Sequence, residues 1–173
     1  MAEVIRPAPN AAPRKAVFLD RDGVIIDNSR HYYIWKEEDM VIIPGVPEML
    51  KALKQKGFLL IVISNQGGIS HGQYTRGDAE QLHRLLNRQL GQQGASIDEF
   101  YFCPHHPDHE ACLCRKPLPL MLEKAIARFG IDPAASWFVG DSERDLEAGR
   151  AAGVQTLLVE ANRGMEGVME EII

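Results

Sequence analysis

Three short, almost uninterrupted apolar runs, each closing on a polar side chain, restrict the fold of this chain more than any other feature. They are Lys15-Ala-Val-Phe-Leu-Asp20, Phe58-Leu-Leu-Ile-Val-Ile-Ser64 and Trp137-Phe-Val-Gly-Asp141. A strand with one wet face alternates apolar and polar residues, whereas these do not, so the spacing predicts strands of a sheet covered on both sides. Between the first two runs, Pro44-Gly45-Val46-Pro47 opens a helical segment. Val46, Met49, Leu50 and Leu53 form its apolar stripe and Gly57 stops it, giving a strand-helix-strand unit.

The alternation continues. Leu82, Leu85, Leu86 and Leu90 fall at helical spacing behind the starting polar groups Thr75 and Asp78, and 97–103 follows as a strand. Pro119 introduces a helix over 120–129 that Gly130 ends; 143–152 reads as another helix and 154–159 as the last strand. Helices alternating with five strands define a three-layer α/β domain, with acids at the carboxyl ends of strands, where open sheets place their ligands. At 173 residues the chain fits one domain, assigned to 15–173 behind a loose tail at 1–14. The long connection 20–45 carries Tyr32, Tyr33 and Trp35, which suit either a short lid over a site or a packed surface loop. The mixed segment 161–173 is expected to pack as a short helix.

Charge narrows the function. With 19 Lys and Arg against 24 Asp and Glu the net charge is −5, and no basic run offers a phosphate backbone a landing stripe, so nucleic acid is excluded as a partner. Any positive field must be local, as for a small phosphorylated metabolite. No apolar stretch suits a membrane span or a signal peptide, and all three cysteines fall within 103–114, which points to a reducing, cytoplasmic setting.

Two groups of residues carry chemistry. Asp20 and Asp22 leave the first strand at i and i+2, and Asp141 and Asp145 leave another at i and i+4. Carboxylates brought together from two strand ends require a cation, and oxygen ligands favour Mg2+. Ser64 and Asn65 supply donors, Arg115 and Lys116 positive charge. The second group is Cys103-x-His105 followed by Cys112-x-Cys114: three thiols and an imidazole, the donor set of a closed tetrahedral Zn2+ site. Such a structural ion would position Arg115 and Lys116 rather than hydrolyse anything. His106 and His109 are alternatives to His105 as the imidazole ligand and otherwise read as solvent-facing loop histidines, and Arg21, Lys36 and Arg144 read as surface charges available at a pocket mouth.

In these motifs the chain resembles the haloacid-dehalogenase-like phosphatases: Asp20-Arg-Asp22-Gly23-Val24 matches the family's first motif, Ser64 the second, Lys116 the third and Gly140-Asp-Ser-Glu-Arg-Asp145 the fourth. The resemblance implies a Rossmann-like haloacid-dehalogenase fold with a central, mostly parallel sheet, a minimal cap and a zinc-binding loop over 103–116. It further implies Asp20 as nucleophile and Asp22 as general acid and base. Magnesium would be held by Asp20, Asp141 and the Asp22 backbone carbonyl, with Asp145 in support. Ser64, Asn65 and Lys116 would bind the phosphoryl group; Arg115 either joins them or anchors its loop. The stretches Ser-Asn-Gln-Gly-Gly-Ile, Cys-Pro-His-His-Pro and Cys-x-Cys-Arg-Lys-Pro narrow the resemblance to the group of heptose-bisphosphate and histidinol-phosphate phosphatases. Both substrates stay open, heptose bisphosphate first. A monomeric enzyme is expected, with a noncatalytic zinc-stabilised module as the competing class.

Overall fold

The computed structural model describes residues 12–165 and 167–172. Five strands, β1 (Ala16–Leu19), β2 (Leu59–Asn65), β3 (Glu99–Cys103), β4 (Trp137–Gly140) and β5 (Gln155–Leu158), form one sheet in the order β3-β2-β1-β4-β5. Every neighbouring pair is parallel, so each return of the chain crosses a face of the sheet. The crossovers carry α1 (Val46–Gln55), α2 (Arg76–Gln92), α3 (Leu120–Phe129) and α4 (Glu143–Ala151), and α5 (Val168–Ile172) follows β5.

Side-chain alternation assigns the helices to faces. Val17, Leu19, Leu60, Val62 and Val139 point to the side covered by Leu50 and Leu53 of α1 and Leu82, Leu86 and Leu90 of α2. Ala16, Phe18, Leu59, Ile61, Ile63 and Phe138 point to the other, against Met121, Leu122 and Ala125 of α3 and Ala148 of α4. All of β1 is buried, as its continuous apolar run requires. The expected three-layer architecture is therefore present, with strand ends shifted by a residue or two from the expected bounds.

Local signals set the helix starts. In α2, Thr75 and Asp78 close a reciprocal capping box. In α4, Ser142 and Asp145 do the same. Gly130 ends α3 in the left-handed conformation, which a residue without Cβ adopts freely.

The connection between β1 and α1 is irregular except for a single 3-10 turn, Glu37–Asp39. Ile25, Ile26 and Ile34 anchor it in the core. Trp35 stacks on Tyr74, ring centroids 6.0 Å apart, while Tyr32 is 77% exposed. Of the expected N-terminal tail, 1–11 lie outside the described residues, and Arg14 is fixed by hydrogen bonds to Gly130 and Asp132. Among the described residues no helix is long and apolar enough to cross a membrane.

Candidate active site

The carboxyl ends of β1, β2 and β4 open onto one pocket, lined by Asp20, Asp22, Asn65, Lys116, Asp141 and Arg144 among others. At its floor Lys116, 2% exposed, lies between two carboxylates: its Nζ is 2.9 Å from Asp20 Oδ1 and 2.7 Å from Asp145 Oδ1, and it donates to the Ile63 carbonyl at 2.9 Å. The approach to Asp145 is an ion pair rather than an aligned hydrogen bond, and Asp145 Oδ1 has no other partner. Asp145 Oδ2 meanwhile accepts from the Ser142 amide and hydroxyl. One carboxylate thus caps α4 and holds the lysine.

A single ammonium does not balance this much acid. Burial above all pushes Asp20 up to about 7; Lys116 opposes the shift, while Asp145 and Asp22 add to it. Burial and Asp145 hold Asp141 above the usual carboxylate range, against Lys116 and Arg144. For Lys116, burial favours the neutral amine, but Asp20 and Asp145 outweigh it and raise its pKa. One carboxylate oxygen each from Asp20, Asp141 and Asp145 lies within 4.8 Å of the others, an oxygen set that fits a hard divalent cation. The fold makes room for this cluster at Gly23, where φ is +85° and a Cβ would come within 2.2 Å of Asp141 Oδ2.

Asp22 is held from the side. Arg21 Nε and Nη2 donate to its two oxygens at 3.0 Å each, and Gln66 Nε2 donates at 3.0 Å. Arg21 was expected at the surface and is instead wholly buried. Its guanidinium also donates to the Ile34 carbonyl, to Gln66 Oε1 and to His83 Nε2. Burial, with Arg21 second, keeps His83 well below its usual pKa, so the neutral ring can accept that bond. Gln66 stood in the Ser-Asn-Gln-Gly-Gly-Ile stretch with no role attached, and Tyr74, which donates to Gln66 Oε1 at 2.6 Å, and His83 carried no motif; their part is recognisable only once Arg21 is seen to need acceptors. Lys36 lies away from the pocket, whereas Arg144 lines it.

Asn65 clasps the backbone of Lys116, donating through Nδ2 to its carbonyl at 3.1 Å and accepting from its amide at 3.0 Å. Among the described residues the second Nδ2 hydrogen has no partner. Ser64 is fully buried beside the pocket lining, its Oγ accepting from Gln66 Nε2 at 2.7 Å. Arg115 both lines the pocket and anchors its loop, donating to the His105 carbonyl at 2.9 Å.

The segment leading to Lys116 folds around the four expected soft ligands. Cys103 Sγ is 3.1 Å from Cys114 Sγ and 3.6 Å from Cys112 Sγ, and His105 Nδ1 is 3.2 Å from Cys114 Sγ. Ligands about 2.3 Å from a tetrahedral ion lie slightly under ~4 Å apart, so the set needs little expansion to hold zinc. All three thiols are free. Burial pushes Cys103 and Cys114 up; at Cys112 it is outweighed by the backbone amides of Arg115 and Cys114 together with the Cys103 and Cys114 thiols, which bring it down to about 7. Such a cluster accepts negative charge on at least one sulfur, as a cation site requires.

This fold and site belong to a hydrolase class: the chain is a member of the haloacid dehalogenase-like hydrolases, whose family model matches residues 33–153. Within that class it is 41% identical over 147 residues to the D-glycero-beta-D-manno-heptose-1,7-bisphosphate 7-phosphatase of Yersinia pestis, covering 82% of this chain and 77% of that protein. The protein of the same name from Pseudomonas putida is 41% identical over 150 residues, 87% of this chain and 85% of its own. Among solved structures, the D,D-heptose 1,7-bisphosphate phosphatase of B. bronchiseptica, complexed with magnesium and phosphate, superposes with a TM-score of 0.80 at 33% identity, covering 90% of this chain and 86% of that one.

Proposed function

We propose that this chain is a magnesium-dependent phosphomonoester phosphatase that removes the C7 phosphate of D-glycero-beta-D-manno-heptose 1,7-bisphosphate, with residues 15–173 acting as one cytoplasmic, monomeric phosphatase domain. The observation that carries the chemistry is the buried Asp20 carboxylate at a pocket floor, 2.9 Å from Lys116 and clustered with Asp141 and Asp145. The names of relatives about 41% identical over more than four fifths of the chain support the substrate.

Asp20 attacks phosphorus, forming an aspartyl phosphate as the bond to the C7 oxygen breaks. Asp22 protonates the departing alkoxide and, as carboxylate, then takes a proton from the water that cleaves the acyl phosphate, returning Asp20 and inorganic phosphate. The Arg21 and Gln66 donors orient Asp22 for both transfers. Lys116 holds the Asp20 carboxylate and offsets charge on the transferring group; the free Asn65 hydrogen and the Arg115 donors are available to its nonbridging oxygens. Magnesium, held by Asp20, Asp141 and the Asp22 carbonyl with Asp145 in support, would supply charge neutralisation between anionic ester and anionic nucleophile. Zinc on Cys103, His105, Cys112 and Cys114 would brace the loop that delivers Arg115 and Lys116, without taking part in the reaction.

The test is magnesium-dependent phosphate release from both anomers of the heptose bisphosphate and from histidinol phosphate. The beta anomer is expected to give the largest kcat/KM, and Asp20→Asn no turnover in a folded protein. Preference for histidinol phosphate would overturn the substrate; release by Asp20→Asn near the parent rate would overturn the nucleophile.

A further inference from the structure

Beside the pocket mouth lies a second group of ligating side chains that the reaction does not use. Of the six histidines in the chain, His83 is committed to Arg21 and His105 to the cysteine cluster, while His71, His106 and His109 converge although His71 is 35 residues or more from the others. His71 Nδ1 is 2.9 Å from His109 Nε2, and the His71 ring centroid is 4.1 Å from that of His106 and 4.7 Å from that of His109. Asp108 Oδ2 reaches His106 Nδ1 at 3.3 Å. One ligand atom each from His71, His106 and Asp108 lies within 4.8 Å of the others.

Backbone contacts build this arrangement from two loops. The Ser70 amide donates to the Pro104 carbonyl at 3.2 Å, joining the 67–72 turn to the cysteine loop. The His109 and Glu110 amides both donate to the His106 carbonyl, at 3.0 and 3.1 Å, which folds Asp108 and His109 back beside His106. Gly67 allows the approach, since a Cβ there would lie 2.9 Å from His106 Cδ2.

We propose that His71, His106 and Asp108, with His109 as a fourth donor, form a binding site for a borderline divalent transition metal such as Zn2+, Ni2+ or Co2+, separate from both the cysteine cluster and the acidic cluster. Imidazole nitrogen with one carboxylate is the donor mixture such ions select, whereas Mg2+ prefers oxygen alone. Ligands about 2.0–2.1 Å from a common ion are themselves ~3–3.4 Å apart, so the two closest pairs already stand near ligand spacing. His106 also lines the pocket holding Asp20, so an ion bound here would add positive charge at the mouth through which an anionic ester enters.

Equilibrium dialysis of the full chain against zinc, with saturating magnesium to occupy the acidic cluster, tests the site. The parent is expected to bind one equivalent more than His71→Ala, a change that leaves the cysteine cluster untouched. Equal stoichiometry in the two proteins would overturn the proposal. A second measurement needs no variant: in the parent, the ring resonances of His71, His106 and His109 should shift together as that additional equivalent is added. Rings that do not move through the titration would also overturn it.

Discussion

Replacing Lys116 by methionine tests the electrostatic reading of the pocket floor. The side chain is 1% exposed and faces Asp20 at 2.9 Å and Asp145 at 2.7 Å. Methionine conserves most of its volume, so the loss is of charge and hydrogen bonding rather than packing. Removing one partner of a buried ion pair costs about 3–5 kcal/mol, because the remaining charge keeps its desolvation penalty. For a chain of this size ~1 kcal/mol moves Tm by about 2–4 °C, so Lys116→Met without magnesium should melt roughly 6–20 °C below the parent by calorimetry. Adding Asp145→Asn removes the carboxylate whose Oδ1 has only the lysine, and should return about 1–3 kcal/mol through their coupling. A fall under ~2 °C, or a double variant no more stable than the single, would refute the reasoning.

The pH dependence follows from Asp20. Its folded pKa of about 7 exceeds the ordinary 3.8, so its stability contribution, about 4 kcal/mol, is full below pH 3.8 and is lost as pH rises through about 7. Without magnesium, Asp20→Asn should therefore gain stability on the parent between pH 4 and 8 in paired denaturant titrations; a constant difference would contradict the shift. At Gly23, alanine would strain a backbone at φ +85° by about 1–2 kcal/mol and drive Asp141 from its place. Magnesium titration of phosphate release by Gly23→Ala should show roughly tenfold weaker dependence on the ion, the size typical of a disturbed ligand shell, and an unchanged half-saturation would count against Asp141 as a ligand. Cys114→Ser should lose zinc by elemental analysis and lower turnover roughly tenfold or more while far-ultraviolet circular dichroism stays near the parent's; full activity without zinc would separate the loop from catalysis.

The sheet was legible because burial on both faces writes itself as continuous apolar sequence in β1 and β2. Asp20 and Asp141 could be grouped because each follows a strand, and Lys116 because the paired cysteine motifs that announced their cluster lead directly into it. Arg21 could not be read correctly. Its burial depends on acceptors from Asp22, Ile34, Gln66 and His83, which are scattered along the chain and meet only in the folded protein. Ser64 is a different case: it is fully buried one hydrogen bond behind the pocket, its Oγ accepting from the Gln66 amide that also donates to Asp22, an arrangement its place at the end of an apolar run does not disclose. His71 comes from one loop and His106 and His109 from another, and the Ser70 to Pro104 hydrogen bond that joins the two is encoded by no side-chain pattern.

The strand order β3-β2-β1-β4-β5 has a consequence for how such a chain can change over time. Asp20, Asn65 and Asp141 stand on or just past the tips of three adjacent strands, but the pocket wall comes from separate surface stretches that contribute Tyr32 and Tyr33, Gly67, and His106. The stretch with His106 also carries Lys116 to the pocket floor and is tied to the Gly67 turn by the Ser70 to Pro104 hydrogen bond, so neither can be exchanged without disturbing the bond-breaking apparatus. Among the described residues the tip around Tyr32 and Tyr33 has no such tie to a strand end, so the choice of ester can drift among descendants there while that apparatus is inherited intact.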